Sequence, residues 1–359
     1  MENILIWGTG KFSKKFTETA LNDKEINIIG FIDNNPEKQG QIFFEKEIYG
    51  PDVILKINFD KIVICTVYID EIRKQILENY PKVIDCVRDH THFFYQNEIL
   101  ARYKNSVDPE IQEVVKFLEK RDLQVFNYGF IDKYKQLNTD PVYDEINKLY
   151  YIEINEKKLY FARHLDNPKK VKQYFQSISV EQDIESPHRY LFDSFDVQEN
   201  DIIVDVGVAE GNFTFSIIDK VKKAYLIEAD EGWIDALKLT FSEYQDKVVY
   251  INKFVKGYTS GKYETLDNII KEPVNFIKMD IEGSECDALD GVIDLVKISP
   301  KMKIAVCSYH NDYDEIILKM KLNEMGFNCT TTSGYMWSPY NRIVTTKLCR
   351  GIVRGVKEQ

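Results

Sequence analysis

Asp201-Ile202-Ile203-Val204-Asp205-Val206-Gly207-Val208-Ala209-Glu210-Gly211-Asn212-Phe213-Thr214 is the stretch that decides the fold. Its apolar run predicts a buried strand that ends at Asp205. Gly207 then permits a tight turn, and Gly211 lets the next helix approach a ligand. A glycine pair alone says little, but strand, glycine turn and helix in succession is the context that makes such a loop a cofactor loop. The acid stands before the glycines, which suits a cofactor with an amino-acid tail and no pyrophosphate better than a dinucleotide.

Downstream, Ala224-Tyr225-Leu226-Ile227-Glu228 predicts a second strand closed by a carboxylate. Alone, Glu228 is as readily a solvated strand end as a ribose ligand; beside the glycine loop, the ribose reading is preferred. Asp230 and Trp233 follow, the first also an ordinary helix cap. Val248–Asn252 predicts a third strand, and Thr265–Ile270 begins a helix. Asn275-Phe276-Ile277-Lys278-Met279-Asp280-Ile281-Glu282-Gly283-Ser284-Glu285 sets several carboxylates at the carboxyl edge of a fourth strand, where open α/β sheets hold ligands. Such crowding calls for a cation, a proton or a substrate hydroxyl, although acids at a helix N-terminus account for Glu285 equally well. Lys303–Ser308 runs into Tyr309-His310-Asn311-Asp312, so His310 is expected on the same edge as Asp205 and Asp280, with an imidazole suited to taking a proton near neutral pH. A helix over 315–325, a strand over Phe327–Thr331 and a last run over Ile343–Arg350 complete a mostly parallel sheet of about seven strands. The two late strands have no helix between them and predict an antiparallel end to the sheet.

The segment from about Asp201 to Arg354 resembles the FkbM family of methyltransferases through IIVDVGVAEGNFT, YLIEAD, TLDNII, FIKMDIEGSECDAL and the SYH around His310. The resemblance implies a class I methyltransferase Rossmann-like fold and S-adenosylmethionine as cofactor. By carry-over, Asp205, Gly207, Glu210, Gly211 and Asn212 surround the methionine moiety, Glu228 holds the ribose, and Asp280, Glu282 and His310 face the acceptor, with Asp280 also at the cofactor's edge. The implied reaction is O-methylation of a hydroxyl on a sugar, glycan or nucleotide-sugar precursor. His310 is the expected base, with Asp280 orienting it or the acceptor. A divalent cation on Asp280 and Glu282 is the rival mechanism.

Toward the amino terminus, Ile4-Leu5-Ile6-Trp7 before Gly8-Thr9-Gly10-Lys11-Phe12-Ser13 repeats the strand-turn-helix pattern. Ile28–Ile32 ending at Asp33, Lys61–Thr66, a helix from Ile69 to Asn79 and a short strand over Val83–Cys86 extend it. Residues 1–95 therefore read as a smaller Rossmann-like α/β domain, similar to the N-terminal domains of bacterial sugar-modifying enzymes. Asp33 is placed to accept from a ribose, but Ser13 stands where a third glycine belongs, and turn glycines without a ligand explain the loop equally well. Residues 96–185 read as a helical connector with an accessory hairpin, and 186–359 as the methyltransferase domain. His188 and Arg189 at that entrance are explained by packing as readily as by a substrate mouth.

Across all 359 residues the formal charge is −11, which argues against nucleic acid as a partner. No apolar run reaches the roughly 20 residues of a membrane span, and MENILIWGTGK lacks the pattern of a signal peptide, so a cytoplasmic location is expected. Six cysteines without a CxxC pair suggest small buried hydrophobes. Homo-oligomerisation stays open. Two other function classes remain at this level: a nicotinamide-dependent, sugar-modifying oxidoreductase using the GTGKFS loop, and a noncatalytic nucleotide-sugar binding module.

Overall fold

The computed structural model describes every residue except 136, 138, 340–345 and 359. The chain divides after Asn127 into two units.

In the first unit the strand Glu2–Trp7 is central because it is apolar on both faces: Ile4, Leu5, Ile6 and Trp7 are all buried, as a strand covered on two sides requires. It pairs in parallel with Ile26–Ile32 and Lys61–Ile64, and Val87–Asp89 extends one edge. The hairpin Ile42–Phe43 and Lys46–Tyr49 finishes the other, giving six strands. Helix Lys11–Ala20 turns Ser13, Phe16, Thr17 and Ala20 inward, a helical stripe laid on the sheet. The strand expected over Val83–Cys86 is instead a 3₁₀ turn over Pro81–Cys86, and the strand begins at Val87. Pro81 lacks the N–H a ladder needs and has its φ already set for a helical turn. Helices Phe93–Tyr103 and Pro109–Leu118 close this unit.

The second unit is built on a seven-stranded sheet: β1 (Ile202–Val206), β2 (Lys223–Ile227), β3 (Val248–Ile251), β4 (Phe276–Met279), β5 (Met302–Cys307), β6 (Asn328–Thr331) and β7 (Ile352–Lys357). The strand order is 3-2-1-4-5-7-6. All neighbours are parallel except β7, which runs antiparallel to both β5 and β6. This is the class I methyltransferase arrangement. The last strand lies over Ile352–Lys357, beyond the expected Ile343–Arg350, and residues 343–345 of that expectation fall outside the described residues. Gly355 lets β7 slot between its neighbours, since a Cβ there meets Ile304 and Phe327 at 3.0–3.1 Å.

Ahead of this sheet, Val142–Asp144, Leu149–Ile154 and Lys157–Tyr160 form a three-stranded meander. Its tight turn uses Asn155 and Glu156, both at positive φ, as a two-residue hairpin demands. Leu149, Ile152, Leu159 and Phe161 pack with Val171 of helix α1 (Pro168–Glu181) and with Trp233 and Ala236 of the later helix Glu231–Thr240. Asn167 caps α1 by accepting from the Lys170 N–H, and Pro168 occupies its first turn. The meander thereby braces α1, whose last turns overlook the carboxyl ends of β1 and β4.

Candidate active site

A cavity of about 560 Å³ opens at the carboxyl edge of the sheet, walled by the β1 loop, the ends of β2 and β4, the segment after β3, His310 and the last turns of α1. Its floor depends on Gly207. That residue sits at φ +73°, and a Cβ on it would lie 1.7 Å from the Asp280 carbonyl oxygen. Only glycine lets the loop and the end of β4 come this close. Ala209 follows at φ +49° and donates its N–H to Glu228 Oε2 at 2.9 Å. The Asp230 N–H donates to Glu228 Oε1, also at 2.9 Å. Each Glu228 oxygen keeps a further lone pair, so the carboxylate is locked in place and free to accept from a diol. Phe254 and Val255 form the apolar wall beyond it, and Trp233 lines the cavity while stacking edge-on to His164.

Glu210 and Asn212 also line this cavity; Asp205 and Gly211 do not. Asp205 is fully buried beneath the floor. Its Oδ2 accepts from Thr214 Oγ1 at 2.8 Å, and its Oδ1 lies 3.1 Å from Lys278 Nζ. Gly211 faces Leu237 and Phe241, where a Cβ would come within 2.7–3.0 Å, and caps the helix Asn212–Ile217. These two motif positions therefore support the loop from behind. Glu210 is buried and accepts from the Tyr174 hydroxyl of α1 at 2.7 Å, and its burial raises its pKa.

The other half of the cavity gathers Asp280 and His310, as the sequence anticipates. Asp280 Oδ2 accepts from the Tyr190 hydroxyl at 2.9 Å, while its Oδ1 is buried without a hydrogen-bond partner. His310 is almost wholly buried, with Nδ1 3.0 Å from Glu285 Oε1 and Nε2 3.6 Å from both Asp280 Oδ1 and Glu282 Oε2. Burial alone would lower the His310 pKa, but Glu285, Asp280 and Glu282 hold it up at about 9. The imidazole thus carries a proton in the free protein at neutral pH. For Asp280, burial works against ionisation and is outweighed by Lys278, His188, His310 and the Tyr190 hydroxyl, which keep its carboxyl below the usual range.

Four contributors have roles that the sequence reading does not assign. Lys278 is buried on β4, donates to the Gly207 carbonyl at 2.5 Å and pairs with Asp205, anchoring the loop to the sheet. A lone lysine in an otherwise apolar strand was its signal. Glu285, with no exposure, accepts from the Ile281 N–H at 2.8 Å and backs His310. Tyr190 comes from the segment before β1 and is buried against Phe213 and His188. Glu181 ends α1 and faces the cavity.

Among the described residues, metal-capable side chains converge as His188, Asp280 and Cys307, and as Asp280, Glu285 and His310; Glu282 belongs to neither group. In the first, His188 Nε2 already meets the Tyr309 hydroxyl at 3.0 Å. In the second, a divalent cation would have to displace the His310 proton and sit near the Lys278 ammonium. The carboxylates are therefore balanced mainly by protonated bases. The Glu282 side chain is 84% exposed and points its charge largely to water.

In the first unit, the Asp33 carboxylate accepts from Thr9 Oγ1, Lys38 Nζ and the Asn35 N–H. Its hydrogen-bonding capacity is largely used within the loop. All six cysteines are free, with Cys65 and Cys307 buried and the rest partly so. Among the described residues, no helix is long and apolar enough to cross a membrane.

Residues 154–329 match the family described as the methyltransferase FkbM domain, and residues 1–82 match that described as C2185-like, N-terminal. No curated protein matches the chain. Among solved structures it is similar to methyltransferase FkbM from Methylobacillus flagellatus KT, at 14% identity and TM-score 0.42, covering 99% of this chain and 90% of that one. It is also similar to the N-methyltransferase NodS from Bradyrhizobium japonicum WM9 in complex with S-adenosyl-L-homocysteine, at 12% identity and TM-score 0.34, covering 55% and 91%. A third is the precorrin-6y C5,15-methyltransferase from Geobacter metallireducens GS-15, at 8% identity and TM-score 0.33, covering 45% and 83%. The match over residues 154–329 assigns an FkbM-type methyltransferase domain to that stretch, and the protein is an S-adenosylmethionine-dependent methyltransferase.

Proposed function

We propose that this methyltransferase, whose FkbM domain spans residues 154–329, methylates a hydroxyl of a sugar, glycan or nucleotide-sugar precursor. The observation that carries this reading is the pairing of His310 with Asp280 on the wall of the same cavity whose floor is the Gly207 loop. When bound, S-adenosylmethionine supplies an electrophilic methyl group on a positively charged sulfur. The residues present fit it: Glu228 is prepared to accept from the ribose hydroxyls, the Gly207 cradle leaves room at the centre, and Glu210 and Asn212 flank the place for the amino-acid end.

Asp280, with one oxygen held by Tyr190 and the other unpartnered, accepts the acceptor's hydroxyl and points it across the cavity. His310 takes the hydroxyl proton on Nε2, and Glu285 behind Nδ1 stabilises the imidazolium that results. For this step His310 first gives up to solvent the proton it holds in the free protein. The cofactor's positive charge favours that loss, since a nearby like charge disfavours the charged form of a base. Holding donor and hydroxyl in line accounts for the rest of the acceleration. The cavity needs no cation for this chemistry.

For the first unit the reading is a nucleotide-sugar recognition module, supported by its parallel sheet and glycine turn. Location in the cytoplasm fits the same reading. The test is transfer of a radiolabelled methyl group to a panel of sugars and nucleotide sugars, comparing the wild type with H310A and D280A. Label on a sugar hydroxyl, lost in both variants, is the expected result. Full turnover by both variants at saturating acceptor would remove the mechanism, and label appearing only on amines would remove the acceptor class.

A further inference from the structure

Glu181 is the last residue of α1, where the partial negative charge of a helix C-terminus already disfavours an anion. It lines the cavity beside Tyr174, Ser177 and Gln182. Among the described residues its carboxyl has no hydrogen bond and no ion pair. The groups that act on it are mostly of the wrong sign or already engaged. Glu210, Asp280 and Glu282 are carboxylates. Tyr174 gives its hydroxyl hydrogen to Glu210 and Tyr190 gives its own to Asp280, while the Tyr309 hydroxyl is against His188. Lys278 is the one cation among these neighbours, and it is spent on Asp205 and the Gly207 carbonyl. No cation among these neighbours is free to pair with Glu181, so a ligand that brings one favours its ionised form.

We propose that Glu181 reads the charge of the cofactor: its carboxyl gives up a proton when S-adenosylmethionine binds, and thereby favours that cation over the demethylated product, which has lost the sulfonium charge. The inference rests on the cofactor occupying this cavity. The O–H bond of the Glu181 carboxyl breaks, the proton passes to solvent, and no covalent bond to the ligand forms. In the free protein, burial first, then Asp280 and Glu210, raise this carboxyl to about 8, so at pH 7 it is mostly protonated. After methyl transfer the sulfur is neutral, the reason for Glu181 to stay ionised weakens, and product leaves more readily.

The experiment is isothermal titration calorimetry at pH 7 in buffers of different ionisation enthalpy, with S-adenosylmethionine and S-adenosylhomocysteine as the two ligands. Proton release is counted for wild type and for E181Q, which imitates the protonated carboxyl and so should keep the free protein's fold. The wild type is expected to release more protons with the donor than with the product. E181Q is expected to lose the share of that difference that Glu181 supplies, keeping what His310 releases, with the donor-to-product affinity ratio falling about twofold at pH 7, where a tenfold loss of proton affinity by a carboxyl that starts at about 8 is only partly expressed. Equal release and an unchanged ratio in E181Q would assign the proton to His310 and overturn the proposal. If E181Q does not fold, infrared difference spectra of the wild type decide: loss of a protonated-carboxyl band on binding the donor supports the proposal, and its absence overturns it. Should neither ligand bind the wild type, the cofactor reading itself falls, and this inference falls with it.

Discussion

Replacing Lys278 with methionine removes the counter-ion of Asp205, whose carboxylate has no exposure and keeps only the Thr214 hydroxyl. At 3.1 Å and an effective dielectric near 20, the lost attraction is about 5 kcal/mol. Desolvation of both charges offsets much of this in the wild type, so the pair adds little net stability, yet deleting one partner strands the other at a cost of about 3–5 kcal/mol. For a unit of this size the melting temperature falls by on the order of 10 °C. The double variant D205N/K278M strands no charge and recovers most of the loss. Differential scanning calorimetry is the assay. Asp205 already has a pKa raised by burial, partly countered by Lys278. Without the lysine it rises further, so the folded state of K278M takes up a proton more readily, and the deficit shrinks as pH falls. A K278M transition within about 0.5 kcal/mol of wild type, or a double variant as unstable as the summed single variants, would refute the claim that this pair is a buried anchor.

Further outcomes follow from the same geometry. Gly207→Ala drives a methyl into the Asp280 carbonyl and should abolish cofactor binding with a loss of about 2–4 kcal/mol; Gly10→Ala, where a Cβ meets nothing within 4 Å, should melt like wild type. Because His310 is protonated up to about 9 and a base must be neutral, kcat/KM should rise with pH toward that value, roughly tenfold per unit on the acid limb; a flat profile from pH 6 to 9 argues against His310 as base. Glu285→Gln removes a carboxylate that holds the imidazolium, so that limb should move to lower pH, which an unshifted profile in E285Q would contradict. Glu181 has a folded-state pKa raised to about 8, so the stability it contributes is present below the ordinary Glu value of about 4.3 and is lost as pH rises through 8. The cofactor-free melting temperature should decline across that window, more shallowly in E181Q, and parallel curves would show that Glu181 does not titrate there.

The strand-turn-helix at Asp205–Thr214 and the carboxylates at Glu228 and Asp280 were legible because each sits where an apolar run ends, a position that local sequence marks. His310 was legible for the same reason. The support behind them was not. Lys278 and Asp205 meet across adjacent strands β4 and β1, and nothing along the chain says that a motif aspartate faces backward to a lysine far away in sequence. Glu285 read as a helix-dipole acid; only the packed structure places it behind His310. Glu181 and Tyr174 belong to α1, which precedes the sheet and reaches the cavity through the meander's packing, so no motif spacing points to them. In the first unit the parallel core was plain from its apolar strands, whereas the hairpin at Ile42–Tyr49 is too short and too exposed to leave a period.

The most direct test of the account is calorimetric titration of the full-length protein with S-adenosylmethionine, with NAD as the parallel ligand and E228A as the control. The account predicts saturable one-to-one binding of S-adenosylmethionine, weakened at least tenfold in E228A by loss of a charged hydrogen-bond acceptor, and no comparable binding of NAD. Absence of S-adenosylmethionine binding, or binding that E228A leaves intact, would contradict the placement of the cofactor against the Gly207 loop and Glu228.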